Sequence, residues 1–172
     1  MVNLSLSWFK SPTFKMKSNW LSNFSFNKDS KHANPLDNET GEVYLVGAGC
    51  GDAELLTLKA HRLLQQTDVV LYDYLFNPEI IDMIPDKVHK IFVGKKCGRH
   101  SMSQQAICEE MSKHALMGKT VVRLKGGDPS VFGRAAEEMA HLQELNINFA
   151  IVPGVTAASG CAAWSGLPLT HR

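Results

Sequence analysis

Residues 121–134 read VVRLKGGDPSVFGR, and they mark a point where a strand ends in a loop and a helix follows. The segment KTVVRLKGG at 119–127 has the β-branched and apolar content of a strand. Gly126, Gly127, Asp128 and Pro129 then end that strand abruptly. The segment GRAAEEMAHLQEL, which follows directly, has helical spacing. The stretch therefore predicts a strand–loop–helix unit with glycines and a carboxylate at the carboxyl end of its strand.

The same unit recurs from residue 41 onward. Four more short apolar segments predict strands: EVYLVGAG at 42–49, DVVLYD at 68–73, HKIFVG at 89–94 and INFAIVPG at 147–154. Helical patterns lie between and after them: DAELLTLKAHRLLQQ at 52–66, SMSQQAICEEMSKHALMG at 101–118 and VTAASGCAAWSG at 155–166. Apolar strands that alternate with helices predict an α/β fold, a mainly parallel sheet with helices on both faces.

Three residues are expected to set the helix boundaries. Asp52 is placed to cap the first helix, and Ser101 or Ser103 is placed to cap the second. Gly118 is expected to end that second helix.

The chain divides into two regions of different composition. Residues 1–40 are rich in Ser, Asn, Lys and isolated aromatic residues, which predicts a flexible N-terminal extension. Alternatively, the aromatic residues dock on a partner or on the body of the protein. Residues 41–172 form the predicted α/β domain.

Charge and cysteine content exclude several classes of function. Residues 1–28 carry four lysines and no acid, which leaves 14 Lys and Arg against 17 Asp and Glu in the remainder, a formal charge of −3. The predicted domain is therefore not expected to bind nucleic acid, and no apolar run is long enough for a membrane span. The four cysteines form no C-x-x-C pair and the histidines no H-E-x-x-H motif, so we expect no structural metal and a reducing, cytoplasmic location.

The predicted strand ends predict a ligand crevice, because ligands of parallel α/β sheets bind at the carboxyl ends of the strands. The sequence GAGCGD at 47–52 suggests nucleotide binding, but it lacks the third glycine of the dinucleotide motif and the lysine of a P-loop. Asp73 ends the second strand, where such folds bind a ribose. These features favour an adenosine-bearing ligand only in general terms.

The segment RLKGGDP is more informative about the ligand. Glycines allow the backbone to approach a ligand closely, and Asp128 offers a carboxylate that would repel phosphates. That combination favours S-adenosylmethionine, which carries a sulfonium and an ammonium group, over ATP. The alternative is that Asp128 only caps the following turn.

Asp73 and Lys95 are the titratable residues that we select as candidate acid–base groups, since both follow strands at the same predicted edge. The alternative is a simple ion pair between them. A basic group surrounds the same edge and is suited to binding carboxylates: Lys95, Lys96, Arg99, His100, Arg123 and Arg134.

The blocks VYLVGAGCGDAELLTLKAHRLLQQTDVVLYD, VGKKCGRHS, VVRLKGGDPSVFGR, VPGVTAASG and GLPLTHR together resemble the tetrapyrrole methylases, most closely their uroporphyrinogen-III C-methyltransferase branch. The resemblance covers residues 43–172. It implies transfer of methyl groups from S-adenosylmethionine to C2 and C7 of uroporphyrinogen III, which gives precorrin-2 for siroheme or cobalamin biosynthesis. It also implies a homodimer.

The resemblance assigns roles to individual residues. Asp73 matches the proton acceptor and Lys95 the proton donor. Positions that match contacts to S-adenosylmethionine are Cys50, Gly126, Gly127, Asp128, Val131, Thr156 and Ala157. The basic residues Lys96, Arg99, His100 and Arg134 are expected to bind the carboxylates of the substrate.

The chain departs from the family pattern at Cys50, where proline is usual, at Ala135, where glycine is usual, and at Tyr74. The family has a second α/β domain after the PLTHR block, and we expect this chain to lack it. Two alternatives therefore stay open: a truncated, non-catalytic remnant or binding module, and a methylase of another precorrin.

Overall fold

The computed structural model describes residues 40–74, 77–94 and 102–171. Within these ranges the chain forms one five-stranded sheet whose paired strands all run parallel, in the order β3-β2-β4-β1-β5. The strands lie where the apolar segments predict them: β1 Glu42–Gly47, β2 Val69–Tyr72, β3 His89–Phe92, β4 Val121–Lys125 and β5 Asn148–Val152. The predicted extension at 1–40 lies outside the described residues, except for Thr40.

Helices connect consecutive strands, and each connection returns the chain to the same end of the sheet. Their bounds are α1 Leu58–Gln66, α2 Pro78–Asp82, α3 Gln104–Leu116, α4 Ala135–Glu144 and α5 Ala157–Trp164. Helices α1 and α2 contribute Ala60, Leu64 and Ile80 to the core on one face of the sheet. Helices α3 and α4 contribute the core of the other face, including Met111 and Leu142. The prediction of an α/β sheet covered on both faces is therefore confirmed.

The first helix differs from its prediction. Asp52 does act as a cap, but only of a short 3-10 turn at Ala53–Leu55, where its side chain accepts the Glu54 N–H at 2.8 Å. Leu56 then adopts an extended conformation. Helix α1 begins after Thr57, whose hydroxyl accepts the Ala60 N–H at 3.1 Å. The predicted single helix is thus two elements, because Thr57 supplies a second cap inside the periodic segment.

Helix α2 has no counterpart among the predicted elements. Asn77 caps it by accepting the Glu79 N–H at 3.0 Å, and Pro78 occupies the first helical position. Its five residues are too few to show a helical period.

Two other boundary predictions have clear outcomes. Ser103 caps α3 by accepting the Ala106 N–H at 3.1 Å, whereas Ser101 lies outside the described residues. Gly118 follows the helix with a φ of 76°, so the residue predicted to end α3 does so.

Candidate functional site

A cleft of about 860 Å³ opens at the carboxyl ends of the strands. Asp73 and Arg134 line it. All seven residues that match cofactor contacts line it as well: Cys50, Gly126, Gly127, Asp128, Val131, Thr156 and Ala157. The structure therefore brings together residues that are more than a hundred positions apart in the sequence.

The backbone of Gly49, Gly126 and Gly127 lines the cleft, and Gly47 and Gly154 pack closely against Gly127; we call these five residues the glycine side. A Cβ atom at Gly47 would lie 2.5 Å from the carbonyl oxygen of Gly127, and one at Gly154 would overlap the same oxygen. Gly127 also pairs with Gly49, since its N–H donates to the Gly49 carbonyl at 2.7 Å. Three strand ends can approach this closely only because side chains are absent.

Gly127 combines two properties that suit a ligand-contacting residue. Its φ is 66°, in the region that favours glycine. A Cβ at this position would meet no atom within 4 Å, and the residue lines the cleft. The backbone of Gly127 is therefore open to a bound molecule, as the sequence predicts.

Asp128 joins two of the loops. One carboxylate oxygen accepts the Ser130 N–H at 2.8 Å, and the other accepts the Gly154 N–H at 3.0 Å. The alternative role as a cap of the turn is thus present, together with a tie to the loop after β5. A carboxylate oxygen has a second lone pair, so these bonds leave room for a ligand donor. A ligand-binding role for Asp128 stays a prediction.

Cys50 and helix α5 form the adjoining wall. A Cβ at Gly160 would overlap the Cys50 sulfur, so the thiol packs directly against the helix backbone. Thr156 caps α5 by accepting the Ser159 N–H at 3.2 Å, and Ala157 is its first residue.

Four ionisable residues form what we call the charged side: Asp73, Arg123 and Lys125 line the cleft, and Glu138 lies buried against the two cations. Arg123 Nη2 donates to Asp73 Oδ2 at 3.0 Å, and Arg123 Nε lies 3.4 Å from Glu138 Oε1. Lys125 Nζ donates to both oxygens of Glu138, at 2.8 and 2.9 Å. Asp73 follows β2, the two cations lie on β4, and Glu138 comes from α4, so three elements build this cluster.

Most of this cluster is buried. The Glu138 side chain is 0% exposed, and those of Arg123 and Lys125 are 5% and 7% exposed. Burial lowers the pKa of Lys125 and the charge of Arg123 lowers it further, while Glu138 opposes both effects. Gln104 adds a hydrogen bond to Glu138 at 3.1 Å. Buried ions need such partners because an unpaired one costs several kcal/mol.

Sequence reasoning did not select Lys125 or Glu138, and it placed Arg123 only among basic residues of the edge. A signal was nevertheless present. Arg123 and Lys125 are two positions apart in an otherwise apolar strand, so they project to the same face of the sheet. Two cations on the buried face of a central strand require buried acidic partners.

The other predicted basic residues have different outcomes. Lys95, Lys96, Arg99 and His100 lie outside the described residues, so the predicted pairing of Lys95 with Asp73 has no description in the structure. Arg134 lies at the edge of the cleft and pairs with the exposed Glu137, with Nη2 at 2.6 Å from Oε2.

Large apolar side chains are exposed both at the cleft and in the last described segment of the chain. Phe132 lines the cleft and is fully exposed, with a φ of 54° that is unusual for a non-glycine residue. Trp164, Leu167 and Leu169 are 77%, 67% and 67% exposed.

Two further observations concern the described residues only. In residues 40–74, 77–94 and 102–171, no group of three or more His, Cys, Asp or Glu side chains is arranged to hold a metal ion. Among the helices of those same segments, none has the length and apolar character needed to cross a membrane.

Comparison with known protein families identifies the family to which this domain belongs. The family model of tetrapyrrole (corrin/porphyrin) methylases matches residues 42–172. The chain belongs to this family. Its glycine side and its charged side are therefore parts of a tetrapyrrole methylase domain.

One related protein and two solved structures of another show how much of longer chains this domain matches. A siroheme synthase from Baumannia cicadellinicola subsp. Homalodisca coagulata is 55% identical over 132 residues, which are 77% of this chain and 29% of that protein. A uroporphyrin-III C-methyltransferase structure from Thermus thermophilus is 46% identical with a TM-score of 0.68, over 77% of this chain and 56% of that one. A further Thermus thermophilus structure of this enzyme, complexed with S-adenosyl homocysteine, is 48% identical with a TM-score of 0.63, over 77% and 51% of the two chains. The chain thus spans less than a third of this siroheme synthase and about half of the two solved methyltransferases.

Proposed function

We propose that this chain is the first domain of a methyltransferase that uses S-adenosylmethionine to methylate uroporphyrinogen III at C2 and C7, giving precorrin-2. The observation that carries the proposal is the convergence of Asp73 and all seven predicted cofactor positions on one cleft of a tetrapyrrole methylase domain. The names of the relatives support the choice of substrate.

The glycine side fits S-adenosylmethionine in size and chemistry. The cleft volume of about 860 Å³ is within the usual range of ligand pockets. The open backbone at Gly127 and the carboxylate of Asp128 would bind a ligand that carries positive charge. The Thermus thermophilus relative complexed with S-adenosyl homocysteine supports this assignment. When bound, S-adenosylmethionine supplies the methyl group from its sulfonium centre.

The charged side would accept the proton that the reaction releases. A new carbon–carbon bond forms on the tetrapyrrole as the bond from methyl to sulfur breaks, and the tetrapyrrole must lose a proton to regain neutrality. Asp73 lines the cleft, and we assign it as the acceptor of that proton. Lys95, which the resemblance assigns as the proton donor, follows β3 in the sequence.

The substrate carries eight carboxylates, which require a local set of cations. We assign this role to Lys96, Arg99, His100 and Arg134. Arg134 supports the assignment, since it lies exposed at the edge of the cleft and exchanges its surface partner Glu137 at little cost.

The complete enzyme would include a further α/β domain that covers the open part of the cleft. Exposure of Trp164, Leu167 and Leu169 supports this, because exposed apolar patches mark interaction sites. The solved relatives are almost twice as long as the matched part of this chain. We therefore expect this chain alone to be a poor catalyst.

The test compares this chain with a version joined to the remaining part of the Thermus thermophilus enzyme. Both are assayed with labelled S-adenosylmethionine and uroporphyrinogen III, with light scattering to report the association state. We expect the joined protein to transfer two methyl groups per tetrapyrrole and the chain alone to transfer few. A joined protein that binds S-adenosylmethionine but methylates only another precorrin, or nothing, would contradict the proposal. Rapid double methylation by the chain alone as a monomer would contradict the need for a second domain.

A further inference from the structure

Arg123 connects the cleft to the buried part of the charged side. Its Nη2 donates to Asp73 at 3.0 Å, and its guanidinium is almost completely buried. Asp73 itself is 17% exposed and lines the cleft. A bond from a buried arginine to a cleft carboxylate fixes that carboxylate relative to the sheet.

Arg123 is held in turn from other directions. Its Nη1 donates to the Leu124 carbonyl at 2.8 Å, and its Nε lies 3.4 Å from Glu138. Lys125 and Gln104 hold Glu138 with bonds of 2.8 and 3.1 Å. Since the guanidinium is a rigid planar fork, these contacts define its orientation.

The strand register explains why an arginine occupies this position. Arg123 pairs with Leu71 on β2, and Asp73 follows two residues later. The side chain at 123 must therefore extend along the strand direction to reach Asp73, which requires a long side chain. Lysine could reach with a single ammonium but could not contact Asp73, Glu138 and a carbonyl together.

We infer that Arg123, oriented by Glu138, is a positioning residue that holds the Asp73 carboxylate in place for proton transfer. The inference rests on the proposed function for the role of Asp73. Among the described residues, the charged and polar groups that contact this carboxylate or its partners include Arg123 and Lys125 from β4, Glu138 from α4 and Gln104 from α3. A buried ionic cluster is a weak source of stability, so its location beside a cleft residue favours a role in the chemistry.

The first test measures kcat and the KM for S-adenosylmethionine on the joined protein. Arg123→Gln is expected to lower kcat about 10²-fold, the effect of misplacing a reacting group by about 1 Å, with KM unchanged. In an Asp73→Asn background the same substitution should lower kcat very little further, because the carboxylate through which Arg123 acts is already absent. Arg123→Lys keeps the positive charge but lacks the planar guanidinium, so its kcat is also expected to be lower than that of the wild type. The control is Thr67→Val, at the amino-terminal ends of the strands and so away from the cleft. It removes a buried hydroxyl that donates to the Thr120 carbonyl at 2.7 Å.

A purely structural role for Arg123 gives different results. It predicts equal losses in both backgrounds, or losses that Thr67→Val reproduces, and either result would overturn the inference. Wild-type kcat in Arg123→Gln would overturn it as well.

The second test needs no catalysis, so it separates this inference from the proposed function. Two-dimensional ¹⁵N spectra of the 172-residue chain are compared for wild type, Asp73→Asn and Asp68→Asn. The guanidinium N–H signals of Arg123 are expected to be protected from exchange and to shift in Asp73→Asn alone. Asp68 is the control because its carboxylate accepts the Thr120 N–H at 2.8 Å, away from the cleft. If the wild-type joined protein transfers no methyl group, the proposed function fails and these spectra still decide the contact. Unchanged Arg123 signals in Asp73→Asn would show that no such positioning exists.

Discussion

The glycine side and the charged side of the cleft are stabilised by different interactions. On the glycine side, backbone atoms at the ends of three strands meet at Gly47, Gly127 and Gly154, and the absence of side chains makes their approach possible. On the charged side, Arg123 of β4 donates to Asp73 and is itself paired with Glu138 of α4. The difference suggests a division of labour, in which exposed backbone binds a donor molecule and buried ions orient an acid–base group.

Substitution of Asp73 should have the largest effect. In the joined protein, Asp73→Asn is expected to lower kcat about 10²–10⁴-fold, the usual contribution of a general acid or base. The affinity for S-adenosylmethionine should stay at the wild-type value, because the glycine side is unaltered. Steady-state kinetics and calorimetric titration measure the two quantities. Asp82→Asn, at an exposed position of α2, is the control, and wild-type turnover by Asp73→Asn would refute its role.

Two adjacent glutamates on α4 separate buried from exposed ion pairs. Glu138→Ala leaves Lys125 buried without its counter-ion and leaves Arg123 with Asp73 alone, so we expect a loss of about 3–5 kcal/mol in the free energy of unfolding. Glu137→Ala removes only the exposed pair with Arg134 and should change stability little. Urea unfolding of the two variants measures both values. Equal losses of unfolding free energy would show that the buried ion pairs contribute no more to stability than the exposed pair.

On the glycine side, a side chain at Gly127 should block the donor. Gly127→Val is expected to weaken S-adenosylmethionine binding at least tenfold, about 1.4 kcal/mol, by filling the space above the backbone. Gly166→Val is the matched control, since Gly166 also has a positive φ, 64°, and open space at its Cβ position, but does not line the cleft. Calorimetric titration of the joined protein gives the affinities. An unchanged affinity in Gly127→Val would reduce the GGDP segment to an ordinary turn.

Cysteine labelling should distinguish the two sides by a smaller effect. Cys50 is half-buried on the glycine side, whereas Cys108 is buried near Glu138. Burial raises the pKa of the Cys108 thiol, and the Glu138 charge raises it further, so less reactive thiolate exists at neutral pH. At pH 8 we expect Cys50 to label faster than Cys108, and S-adenosyl homocysteine to slow Cys50 alone. Glu138→Gln should accelerate Cys108.

Peptide mass spectrometry assigns each labelled thiol, and the exposed Cys161 is the internal control. Protection of Cys161 together with Cys50 would indicate a change in the whole protein rather than a ligand on the glycine side.

The glycine side is predictable from the sequence because its glycines stand beside predicted strands in the chain. Gly47, Gly127 and Gly154 each lie at the last residue of a strand or within two residues of it, and parallel strands bring their carboxyl ends to one edge. All seven predicted cofactor positions consequently line the cleft. The five strands are equally predictable, since each is a short apolar segment between turn residues.

The charged side is less predictable because its partners are distant in sequence. Arg123 and Asp73 are 50 positions apart, and the Gln104–Glu138 bond spans 34. The predicted start of the first helix was wrong for a local reason instead, since Thr57 supplies a cap inside a continuous periodic segment. Helix α2 is too short to produce a period.

The division of labour between the two sides is tested most directly by steady-state kinetics on the joined protein, with S-adenosylmethionine as the varied substrate. Gly127→Ala and Asp73→Asn are compared with wild type in the same titration. The account predicts that Gly127→Ala raises the KM with kcat nearly unchanged, and that Asp73→Asn lowers kcat with KM nearly unchanged. If both substitutions alter the same constant, the two sides of the cleft do not have separate functions.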